Sequence, residues 1–123
     1  MPFDPEAFGK WLRDHAFGGF GAGHCAKHVR LALEAGGLVT AGHPRDAKEY
    51  GPFLTRLGFH AVDARGYIPQ AGDVAVFPAN RDSSAGHVEG YDGKDWISDF
   101  VQPRGLFPGP AYRRSGVYVI YRQ

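Results

Sequence analysis

Apolar positions recur at helical spacing through the first half of the chain and give way to alternation punctuated by turns in the second. Asp4-Pro5 pairs an N-cap residue with a proline at the first helical position, and Phe8, Trp11, Leu12 and Ala16 follow on one face. This predicts a helix of about three turns, ended by Gly18-Gly19. From Cys25, the positions Cys25, Val29, Ala32 and Leu33 share a face opposite Lys27, Arg30 and Glu34, until Gly36-Gly37 stops a second helix. Asp46 and Glu49 are spaced as a capping box for a third helix with the stripe Tyr50, Phe53, Leu54 and Leu57, which Pro52 should break or kink. After Gly58 the period becomes two. Strands are expected over 73–77, entered through Pro69-Gln70-Ala71-Gly72, and over 86–91, 95–101 and 116–122. Helices first and strands after predict an α+β fold, with N-terminal helices packed on an antiparallel sheet.

Composition narrows the class. A chain of 123 residues suits one domain over 1–123, and 18 glycines with 9 prolines make it loop-rich, while 43% hydrophobic and 14% aromatic content excludes disorder. Fourteen basic and 13 acidic residues are spread evenly to a net charge of +1, so no nucleic-acid partner is expected. Met1-Pro2-Phe3-Asp4-Pro5 has no charged region leading into an apolar one, and no apolar run is long enough for membrane insertion. The expectation is a protein made in the cytoplasm without a signal peptide. If its substrate lies elsewhere, another route must carry it there.

One residue changes the picture most. Cys25 is the only cysteine, and it leads the second helix immediately after Gly18, Gly19, Gly21 and Gly23. A thiol at a helix start meets unpaired N–H groups and the positive end of the macrodipole, which favour the thiolate. Farther along, Gly86-His87-Val88-Glu89-Gly90-Tyr91 places an imidazole on a strand, the base such a nucleophile needs. Asp92-Gly93 marks a hairpin. A two-residue loop would set Ser98 opposite His87, and a three-residue loop would set Ile97 or Asp99 there, so Asp99 is the favoured orienting group, with Gln102 and Ser98 behind it. Each of these residues also has a plain structural reading: the cysteine as a small core hydrophobe, His87 as an ordinary sheet residue, Asp99 as a strand-end aspartate. Glu89 is read as a solvated strand residue. His24 and His28, four apart, lack the pattern of a zinc helix, so neither a metal nor a cofactor is expected.

Four pieces in order, Gly23-His24-Cys25-Ala26-Lys27-His28-Val29, Pro69 to Phe77, Gly86-His87-Val88 and Trp96-Ile97-Ser98-Asp99-Phe100, resemble the CHAP and NlpC families of papain-like amidases and peptidases that cut peptidoglycan stem peptides. Leu31 to Gly37 and Phe107-Pro108-Gly109-Pro110 look most like the small amidase effectors of type VI secretion. The resemblance implies a papain-like fold and a thioester acyl-enzyme, with Cys25 as nucleophile, His87 as base and Asp99 as third member. The flanking Gly23, His24, Gly86 and Ser98 are the expected substrate-binding positions. It further implies bacterial peptidoglycan peptide as substrate, delivery by secretion machinery into the periplasm of a target bacterium, and a cognate immunity protein. The rival reading is a non-catalytic module on the same fold that binds cell wall or protein.

Overall fold

The computed structural model describes residues 2–19, 21 and 23–123. Asp4 caps α1 (Pro5–His15) as its position demands: Oδ1 accepts the N–H of Glu6 at 3.0 Å and of Ala7 at 3.1 Å. α2 runs from Cys25 to Ala35 and closes on Gly36, whose N–H bonds the carbonyl of Ala32. The third helical region differs from expectation. A single 3₁₀ turn, Ala47–Glu49, leads into α3 (Tyr50–Arg56), and Asp46 makes no capping bond through its side chain. Pro52 sits in the first turn of α3, where its missing N–H has no intrahelical acceptor, so the helix begins around the proline and is not broken by it.

The strands β1 (His60–Val62), β2 (Val74–Phe77), β3 (His87–Tyr91), β4 (Trp96–Ile97) and β5 (Val119–Arg122) form one sheet in the order β1-β5-β2-β3-β4. Every pairing in it is antiparallel. The α+β class therefore holds. β1 and a short helix, α4 (Pro110–Ser115), are additions to the sequence-based elements. The strand expected over 95–101 is cut to two residues because the chain turns back on itself: Ile97 bridges Val101, and the Gln102 N–H reaches the Trp96 carbonyl at 2.9 Å.

Two apolar clusters cover the two faces of the sheet. Phe8, Leu12, Val29 and Leu33 of α1 and α2, with Tyr50, Phe53 and Leu54 of α3, pack on Val74, Val76, Val88 and Ile97. Ala75, Phe77, Trp96 and Ile120 face the other way, onto Phe107, Tyr112 and Tyr118. β2 is buried at every position and β3 at all but its last. A central strand of this kind has no solvated face, and that decides what surrounds the polar residues on β3.

Candidate active site

Cys25 is the first residue of α2 and is half-buried. Its sulfur receives the backbone N–H of Val88 from β3, together with the N–H groups of Ala26 and of Cys25 itself at the helix start. These donors favour the thiolate, yet burial outweighs them and pushes the thiol pKa above its ordinary value, with the charge of Asp99 acting in the same direction as burial. The helix start was expected to favour the thiolate overall. Desolvation reverses the balance, and the resting sulfur is a neutral thiol.

His87 opens β3, opposite Phe77. Alternation along the strand turns Val88 toward the helices and sends His87 and Glu89 to the opposite face, where the imidazole lies 5.7 Å, centroid to centroid, from the rings of both Phe77 and Tyr112. Burial lowers its pKa to about 4, with the Asp99 charge opposing the shift. Nε2 meets Glu89 Oε1 at 2.9 Å. Glu89 is fully buried, its pKa is raised well above the ordinary carboxylate range by desolvation, and its second oxygen has no partner among the described residues. Nδ1 makes no hydrogen bond to a described residue, and none joins the imidazole to the thiol. Val88, the next residue along, makes the link between β3 and the sulfur.

The expected pairing of Asp99 with His87 is corrected by the hairpin. Gly90 pairs with Ile97 and Tyr91 with Trp96, so the loop is the four residues 92–95, closed by the Asp92 carboxylate accepting the N–H groups of Lys94 and Asp95. That register removes Asp99 from the position opposite His87. Asp99 is buried and accepts the His24 N–H at 3.0 Å and the Ser98 hydroxyl at 3.1 Å, while Gln102 Nε2 donates to Ser98 Oγ at 2.8 Å. A Cβ at Gly21 would overlap the Asp99 carboxylate, so Gly21 is packed on this acid. Asp99 thus holds the approach to Cys25, and its charge still reaches the thiol, His28 and His87.

The four flanking positions divide. Gly23 and His24 are exposed at the helix entry. Ser98 is fully buried behind Asp99, which makes it a support for that carboxylate and takes it off any substrate-facing surface. Gly86 has φ +73°, and a Cβ there would strike the Phe77 carbonyl and Lys48, so glycine is required to bring the chain into β3. His28, one turn beyond the thiol, is buried between Trp11 and Phe17.

No family model matches the sequence, and no curated protein matches it either. Solved structures do. In a native crystal structure of the type VI effector–immunity complex Tae3–Tai3 from Ralstonia pickettii, a chain with 36% identity superimposes at a TM-score of 0.87, covering 98% of both chains. In the selenomethionine structure of the same complex the identity is 38% and the TM-score 0.84, over 94% of this chain and 98% of the other. The chain belongs to the Tae3 family of type VI effectors. Within this Tae3 relative, the site residue that sequence reasoning missed is Glu89. Its signal was available: it stands two residues from His87 on one strand, hence on the same face.

Proposed function

We propose that this chain is a cysteine amidase of papain-like design that cleaves an amide bond in the peptide part of bacterial peptidoglycan. In this reading it is delivered by a type VI secretion machine to the periplasm of a target cell and is restrained in its producer by a cognate immunity protein. The observation that carries the chemistry is the junction of α2 and β3, where the Cys25 sulfur takes the amide of Val88 and the neighbouring imidazole is backed by a buried carboxyl.

With Glu89 and His87 both neutral, their contact carries one hydrogen bond. We assign the imidazole proton to Nε2, donating to Glu89 Oε1, which leaves Nδ1 as the basic nitrogen. Rotation of the sulfur toward Nδ1 completes the pair. Cys25 Sγ attacks the carbonyl carbon while its proton passes to Nδ1; the imidazolium then protonates the departing nitrogen as the C–N bond breaks, leaving a thioester. Water, deprotonated by the same Nδ1, hydrolyses the thioester to the acid and restores the thiol. Glu89 orients the ring, and the negative Asp99 favours the imidazolium once it forms. The Val88 and Ala26 amides reach the sulfur and would stabilise the charge that gathers on it during attack.

Mass spectrometry of purified muropeptides incubated with the protein tests the reading. One amide bond is expected to be cut by the wild type and by neither Cys25→Ala nor His87→Ala. Intact muropeptides after incubation with folded wild-type protein would leave the non-catalytic binding module as the better account.

A further inference from the structure

Beyond the thiol and imidazole, the chain from Pro103 to Arg114 folds into a cleft of about 710 Å³ between the 103–110 segment and α4. Its floor is apolar, built from Phe107, Pro108 and Pro110, and Arg104, Arg113 and Arg114 stand around it. All three arginines are exposed. Arg113 lies over the Phe107 ring at 5.8 Å, which holds that guanidinium at the wall of the cleft. Among the described residues the ion pairs use Arg13, Arg30, Arg65 and Arg122, and none uses these three arginines. No acidic residue lines the cleft. In a chain of net charge +1, three unneutralised guanidinium groups around one apolar floor form a local field that selects carboxylates. Two aromatic contacts lead from the cleft toward the candidate site: Phe107 packs on Phe77 at 6.1 Å, and Phe77 and Tyr112, the residue before Arg113, each lie 5.7 Å from the His87 ring.

We propose that this cleft is a carboxylate-reading subsite, in which Arg104, Arg113 and Arg114 grip the free carboxylates of an acidic peptide while its backbone lies on Phe107 and the prolines, presenting the adjoining amide to Cys25. This rests on the amidase reading for the identity of the peptide, and an acidic protein surface is the competing occupant. Peptide is favoured because Phe107 of the cleft floor packs on Phe77, whose ring lies 5.7 Å from that of His87, and because the cleft is of the size that small ligands occupy.

The test uses a muropeptide stem with its free carboxylates and the same stem with those carboxylates amidated. Binding is followed by fluorescence anisotropy on Cys25→Ala and turnover on the active protein. The acidic stem is expected to bind roughly 10-fold more tightly than the amidated one at low salt, with the gap closing in high salt. The charge reversal R104E/R113E/R114E should erase that preference and raise KM while leaving kcat within about twofold. The milder pair R104Q/R114Q, which keeps Arg113 on Phe107, should halve the preference or more and guards against a folding defect in the triple variant. Equal affinity for the two stems overturns the subsite even if hydrolysis proceeds. A preference that survives charge reversal overturns it too, as does loss of immunity-protein binding in the triple variant with peptide affinity unchanged. Preference for the acidic stem without any hydrolysis keeps the subsite and removes the amidase reading.

Discussion

At the scale of single residues, the site is built from groups held neutral by burial. The Cys25 pKa is raised and that of His87 is lowered to about 4, so a preformed thiolate–imidazolium pair is not the resting state, and in the proposed mechanism the proton moves only as the sulfur attacks. The rate of alkylation by iodoacetamide should therefore rise with an apparent pKa above that of a free thiol, whereas an ion-paired thiolate would react well below it. Glu89→Gln keeps the shape of its side chain and should lower kcat by roughly 10²–10⁴-fold, with Asp99→Asn less severe. A larger loss at Asp99 would return the orienting role to that residue. The His87–Glu89 pair also sets a dependence of stability on pH. Between the unperturbed values of 4.5 and 6.5 the unfolded pair holds one proton, on histidine, and the folded pair also holds one, on Glu89. Stability is then flat with respect to this pair. Above 6.5 the unfolded histidine loses its proton while buried Glu89, held well above its ordinary range, still carries its own, so stability falls as pH rises until Glu89 itself titrates. Denaturant titrations at pH 6, 7 and 8 should show this fall in the wild type and its loss in Glu89→Gln.

At the scale of elements, β3 shows what sequence patterning conveys and what it does not. The helices were legible because the Asp4-Pro5 cap, the stripe from Cys25 to Leu33 and the glycine stop at 36 act within a few residues of one another. Cys25 at a helix start and His87 on a strand follow from the same local signals. The partner of His87 did not, because it depends on a loop whose length is set by the Asp92 side chain bonding two backbone amides, and on a strand β4 shortened when the chain folds back at Gln102. Glu89 was misread for a related reason: alternation identifies the face a side chain takes, whereas α4 and the 103–110 segment, which cover that face, leave little periodic trace. The Asp73 of the strand-entry motif has its own structural account. It is fully buried, bonded by Arg122 Nε at 2.8 Å and Nη2 at 2.9 Å, by the Tyr67 hydroxyl at 2.6 Å and by the Gln70 N–H at 2.9 Å. This network ties the 67–73 loop to the last strand. Arg122→Leu leaves the carboxylate with two donors and no countercharge and should cost about 2–3 kcal/mol, read as a lower guanidinium midpoint, with turnover per folded molecule unchanged.

At the scale of the whole molecule, membership of the Tae3 effectors turns the question from what the fold is to where it acts. The chain brings a helix-led thiol near a buried imidazole and a fully buried carboxyl, and no helix among its described residues is long and apolar enough to cross a membrane. On the proposed amidase activity, damage by hydrolysis of the wall is the expected route of toxicity, and it requires access to the wall. Wild-type protein confined to the cytoplasm of a Gram-negative cell should be harmless, whereas the same chain fused to a periplasmic signal should lyse the cell within a few generations. Cys25→Ala in the periplasm should abolish lysis without lowering the amount of folded protein, because the substitution removes one half-buried sulfur and leaves the core around Val29, Ala32 and Leu33 intact. An immunity protein expressed in the same periplasm should restore growth in proportion to its occupancy of the effector. Lysis by Cys25→Ala equal to that of the wild type would show that the harm does not come from bond cleavage. Killing from the cytoplasm alone would place the substrate inside the cell and remove peptidoglycan from the account.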